Sequence, residues 1–222
     1  MCSLAYNRKT TCTQMRQFIL IYQIFLIQYK KNQLDGVIMV FLEKIKQIKY
    51  ECKNEFDILK EMTCCFTGHR WQKLPWGQNE NDERCKQMKL SLKEEIIDAV
   101  NKGYKYFISG MALGFDIIAA ETIIKLKKDY PQIKLIAALP CKDQYKLWKD
   151  NQIERYKDVL SKCDEVRCLY DTYNDKCMLE RNDYMLNNSS FVIALYNGKG
   201  GGTGYTIRKA KEKGLKIKIM QP

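Results

Sequence analysis

The chain has 222 residues, enough for one sizeable core with an appendage and too few for two ordinary domains. Its 45% hydrophobic and 29% charged content excludes wholesale disorder. The formal net charge of +12 favours an anionic partner, but scattered lysines in an Ile-, Tyr- and Asn-rich chain carry most of it.

Residues 1–61 contain two helix-like stretches, about 13–31 and 38–61, and no chemistry-bearing motif. They read as a helical N-terminal extension. Their most apolar run, Phe18 to Ile27, is far shorter than the roughly 20 residues that cross a bilayer. Gln28-Tyr29-Lys30-Lys31 follows it instead of a small-residue cleavage site. No membrane segment or export signal is expected, and a cytoplasmic protein is. The ten cysteines contain no Cys-x-x-Cys pair, and the lone histidine, His69, cannot complete a zinc site of paired spacing. Reduced thiols and no metal are expected.

From Met62 the pattern changes. Short apolar runs at 62–66, 104–108, 133–139, 165–169, 191–196 and 215–220 predict strands. Between them, helices are predicted near 80–102, 115–129, 143–161, 176–188 and 203–213. In the first helix Met88, Leu92, Ile96 and Ala99 recur at helical spacing, and Gly103 stands where a C-terminal cap belongs. Strand–helix alternation with strands apolar on both faces predicts an α/β fold over 62–222. Its form is a Rossmann-like, doubly wound parallel sheet with helices on both faces.

In such folds ligands bind beyond the carboxyl ends of the strands. Three loops there are unusual. Thr67-Gly68-His69-Arg70 combines a tight turn with a planar guanidinium suited to phosphate. Ser109-Gly110-Met111-Ala112-Leu113-Gly114-Phe115-Asp116 brings small residues to a helix start, where amides and dipole favour an anion. Asp116 either caps that helix or binds a ribose hydroxyl. Glu121 lies about 140° further around it, a poor partner for acid–base work. The third loop, Asn197 to Gly204, places Gly198, Gly200, Gly201, Gly202 and Gly204 around Thr203 at the last helix start, a cradle for anions. It matches neither the Walker A loop nor the dinucleotide fingerprint.

In this order the loops, with Arg181-Asn182, resemble the SLOG superfamily of Rossmann-like nucleotide-ligand binding proteins, and within it the YpsA-like family. The resemblance covers 62–222. It implies a binding module for a nucleotide-derived, phosphate-bearing small molecule. The implied ligand set is Thr67, Gly68, His69, Arg70, Ser109, Gly110, Met111, Ala112, Gly114, Asp116, Arg181, Asn182 and Gly200 to Thr203, with Arg70 and Arg181 supplying charge. No cofactor is implied beyond that ligand, and self-association stays open. LOG-type phosphoribohydrolases are similar around an arginine and a Gly-Thr loop, matched by Arg181 and Gly202-Thr203. The position of their glutamate is held here by Thr206, which cannot supply a carboxylate. An alternative hydrolase would use Asp116, Glu121 or His69 for proton transfer. DprA-type proteins share a Ser-Gly-x-Ala-x-Gly-x-Asp segment and an Arg-Asn pair, which makes single-stranded DNA the third alternative.

Overall fold

The structure is a computed structural model that describes residues 59–222, with 43, 44 and 57 besides. Nearly all of the predicted N-terminal extension, residues 1–61, lies outside the described residues. The described part runs β1 (Thr63–Gly68), α1 (Glu83–Asn101), β2 (Tyr106–Ser109), α2 (Phe115–Leu126), β3 (Lys134–Cys141), α3 (Asp150–Ser161), β4 (Glu165–Tyr170), α4 (Cys177–Asn187), β5 (Phe191–Leu195), α5 (Gly202–Glu212) and β6 (Lys216–Met220). The six strands form one parallel sheet in the order β4-β3-β2-β1-β5-β6. The doubly wound sheet expected from the alternation is therefore present.

The period of two along β1 sorts the core into two layers. Cys64 and Phe66 join the residues buried by α1, α2 and α3, including Leu92, Ile117 and Tyr156. Cys65 points the other way, to Met185 and Leu186 of α4 and Ile207 of α5. The predicted stripe Met88, Leu92, Ile96 and Ala99 is the buried face of α1, whose N-terminus is capped by Asp82 through the Arg84 N–H. In α2 every residue from Phe115 to Ala120 is buried, so its first turn is fixed by packing all round. The seven cysteines among the described residues are free thiols. No helix among those residues is long and apolar enough to cross a membrane.

Element ends shift by up to three residues from the sequence expectation except at α3, and two of the differences have a plain physical cause. Thr67 and Gly68 continue β1, pairing with Ala194 and Leu195, because β5 runs far enough to offer them a ladder. The helix expected over 143–161 begins only at Asp150. Trp148 and Tyr145 both pack on the Tyr156 ring, each with centroids 5.4 Å apart. In one continuous helix Trp148 and Tyr156 would stand about 12 Å apart along the axis. That contact requires the chain to fold back, so 142–149 is a loop.

Candidate functional site

The chain builds the sheet outward from β1 to β4, then returns to place β5 on the other side of β1. The carboxyl ends of β1 and β5 are thus the switch point, where two loops diverge and leave a crevice. A cleft of about 300 Å³ opens there. One wall is the end of β1 and the turn after it, with Thr67, Gly68, His69 and Arg70, then Gln72 and Lys73. Ala112 and Asp116 come from the β2–α2 segment, Met178, Leu179, Arg181 and Asn182 from α4, and Gly202 and Thr203 from the start of α5.

Long-range hydrogen bonds fix these walls to one another. His69 Nε2 lies 2.7 Å from Asn197 Oδ1 and 3.2 Å from the Asn197 backbone nitrogen, and the same Oδ1 accepts the Lys199 N–H at 3.0 Å. The ring stacks at a tilt on Tyr196, with centroids 5.5 Å apart. Burial, with Lys73 close by, lowers the His69 pKa below its ordinary 6.5, against the pull of Asn197. The imidazole is therefore neutral at pH 7, and it ties the β1 loop to the β5 loop. Lys73 Nζ adds a second tie, donating to Gly200 O at 2.9 Å. Arg70 is exposed on the cleft wall, and its guanidinium has no protein partner among the described residues.

The Ser109–Asp116 segment works mostly from behind. Ser109 Oγ donates to Asp116 O at 2.9 Å and accepts from the Met111 N–H at 3.1 Å. Ser109 and Met111 are fully buried and do not reach the cleft. Gly114 has φ +103, and a Cβ there would stand 2.8 Å from His69 O and 3.0 Å from the Arg70 Cα. Only glycine lets α2 start this close to the β1 loop. Gly110 is the second close approach, because a Cβ there would meet both the Arg181 guanidinium and Asp116 Oδ2. It spaces the two charges, which form no ion pair.

Asp116 does not cap α2. Among the described residues its Oδ2 accepts only the Ala112 N–H, at 3.5 Å. Burial pushes its pKa up to about 6 from an ordinary 3.8, with Arg181, the Ala112 amide and Arg70 pulling the other way. Arg181 is 5% exposed. Its Nη1 donates to Gly110 O, and to Ala138 O at 3.4 Å. Those carbonyls stand one residue beyond Ser109 and Ala137, the last pair of the β2–β3 ladder. The guanidinium thus staples the chain just past the end of β2 to the interior of β3, where those two strands no longer pair.

At the start of α5, Gly201 provides no side-chain cap, so the first amides of the helix are left for another acceptor. Gly202 and Thr203 face the cleft, whereas Gly200 and Gly201 stand beside Lys73. Thr206 Oγ1 donates to Gly202 O at 2.9 Å, which spends its hydroxyl inside the helix.

Of the sequence-predicted residues, the fold brings Thr67 to Arg70, Ala112, Asp116, Arg181, Asn182, Gly202 and Thr203 into one cleft. It leaves Glu121 outside, in a bidentate pair with Arg155 at 2.6 and 2.7 Å. Arg155 also binds Glu80, so Glu121 belongs to a network that ties α2, α3 and the loop before α1. Sequence reasoning missed Gln72, Lys73, Met178 and Leu179. A signal existed for Met178: it precedes Asn182 by four residues, hence the same helix face.

A family model described as the YspA SLOG family matches residues 64–221. Similar relatives include a UPF0398 protein of Brevibacillus brevis, 28% identical over 137 residues, covering 61% of this chain and 73% of that one. An uncharacterized SPbeta prophage-derived protein of Bacillus subtilis, YoqJ, is 35% identical over 135 residues, covering 55% of this chain and 78% of that one. The solved structure of DNA processing protein A (DprA) from Streptococcus pneumoniae superposes with a TM-score of 0.50 at 17% identity. The match covers 73% of this chain and 51% of that one, a likeness of fold over about half the DprA chain.

Proposed function

This chain belongs to the YspA SLOG family, and from that premise we propose that it binds a phosphate-bearing, nucleotide-derived small molecule in the switch-point cleft, as a sensing or sequestering module. One observation carries the reading: Arg70, Lys73 and the uncapped start of α5 converge on a single cleft. Amides at a helix N-terminus and a free guanidinium together suit a phosphate group. Every residue invoked lies in 62–222, the part we take to be the binding domain, and we place the protein in the cytoplasm. Salt separates this reading from single-stranded DNA binding, for which Arg208, Lys211 and Lys213, exposed on and beside α5, are the available cations. A strand held through several phosphates releases counterions, so its affinity falls steeply as salt rises. The cleft reading expects a shallow salt dependence for a nucleoside monophosphate and only weak oligonucleotide binding. A steep slope for oligonucleotides, lost on neutralising Lys211 and Lys213, would move the function to DNA.

Asp116 supports a second, hydrolytic reading, because a buried carboxyl with a pKa near 6 in a cleft suits proton transfer. Thr206 counts against it, since no carboxylate stands there. We expect incubation with adenosine monophosphate to release no free adenine above the no-protein control. Turnover by the wild type that disappears in Asp116→Asn would make the protein a hydrolase.

A further inference from the structure

The α4 wall of the cleft is unlike the others, and the phosphate reading does not use it. Arg181 Nε donates to Asn182 Oδ1 at 3.0 Å. An Nε–H can only donate, so the carbonyl end of the Asn182 amide must face it. The amide NH2 is the end left for the cleft. Arg181 is itself committed to the carbonyls of Gly110 and Ala138 and is nearly all buried, so it holds the asparagine more than it reaches a ligand. Beside this oriented donor stand Met178 and Leu179, and Leu179 is 42% exposed. Phosphate and ribose gain little from an apolar wall. A flat heteroaromatic ring does, because its faces are apolar while its edge carries acceptors.

We infer that the α4 wall is a nucleobase subsite, in which the base lies on Met178 and Leu179 and an acceptor on its edge takes the Asn182 amide protons. The inference rests on the phosphate reading of the same cleft. Asn182 and Leu179 set the preference for a base, and Arg181 is a positioning residue that fixes the amide end for end.

The experiment titrates the full chain by calorimetry with ribose 5-phosphate and with each of the four common nucleoside 5′-monophosphates. The quantity read is the affinity ratio of nucleotide to ribose 5-phosphate, in which effects on the shared phosphate cancel. In the wild type at least one nucleotide should bind about tenfold tighter than ribose 5-phosphate, or more, the scale of one buried apolar contact. Leu179→Ser should lower that ratio. Asn182→Asp, which keeps an acceptor for Arg181 but has no proton to donate, should bring it close to one. Arg181→Lys keeps the charge but has no Nε–H beside the amide, and should lower the same ratio. An arginine with a purely structural role would change stability and leave the ratio unmoved. If ribose 5-phosphate binds but the ratio is one, or does not respond to these variants, the base subsite is wrong and the phosphate reading stands. If neither ligand binds, the phosphate reading itself fails and the subsite falls with it.

Discussion

Gly114→Ala should destabilise the protein by about 2–5 kcal/mol, combining strain from a glycine-type backbone with overpacking. The alanine Cβ would meet His69 O at 2.8 Å and the Arg70 Cα at 3.0 Å. Both are backbone atoms, so no side chain can rotate away. Either the β1 loop moves or α2 does, and the cleft opens in both cases. Gly77→Ala is the control, because Gly77 also has positive φ, +58, but among the described residues no atom beyond its chain neighbours lies within 4 Å of its added Cβ. It should cost only about 1–2 kcal/mol, the left-handed strain alone. Urea unfolding of the three proteins checks this. Equal losses in both variants would mean that contact with the β1 loop contributes nothing.

Asp116→Asn should stabilise the protein at pH 8 by about 1–3 kcal/mol, at 1.36 kcal/mol for each pKa unit that burial adds. The folded pKa, about 6, lies above the ordinary 3.8. Below pH 4 the carboxyl is protonated in both states and imposes no penalty. Between pH 4 and 6 the unfolded chain releases the proton while the folded one keeps it, so stability falls as pH rises. Above pH 6 the penalty is constant. The advantage of the asparagine should therefore grow between pH 4 and 6 and stay level to pH 8. Equal stability of the two proteins at pH 4.5 and pH 8 would show that the carboxylate is not penalised by burial. A cleft-wall carboxyl that costs stability is a candidate for a ligand role.

The fold could be read in the sequence because alternation and two-sided apolar strands leave few topologies open. The register of Cys64, Cys65 and Phe66 across the two layers follows from the same period of two. The carboxyl-end loops could be found for the same reason, since any parallel sheet gathers them at one edge. What could not be read were pairings across long separations. Nothing local indicates that Glu121 pairs with Arg155, or that Lys73 reaches the loop at Gly200. The resemblance gives the Arg181 charge to a phosphate, whereas the fold turns its Nη1 toward backbone carbonyls just past the end of β2 and within β3. The sequence predicts helix from 143, and the packing of Trp148 on Tyr156 overrides it as far as Asp150.

Gly202→Asp gives the most direct test of phosphate binding in the cleft. A Cβ at Gly202 meets nothing within 4 Å among the described residues, so the side chain has room there. A carboxylate in the first turn of α5 also favours the helix dipole, so stability should hold or rise slightly. The same carboxylate occupies the place proposed for the phosphate. Calorimetric titration with the tightest-binding nucleoside monophosphate should give saturable binding to the wild type and none to the variant, with both proteins melting at similar temperatures. Equal affinity in the two proteins would contradict phosphate binding at the start of α5.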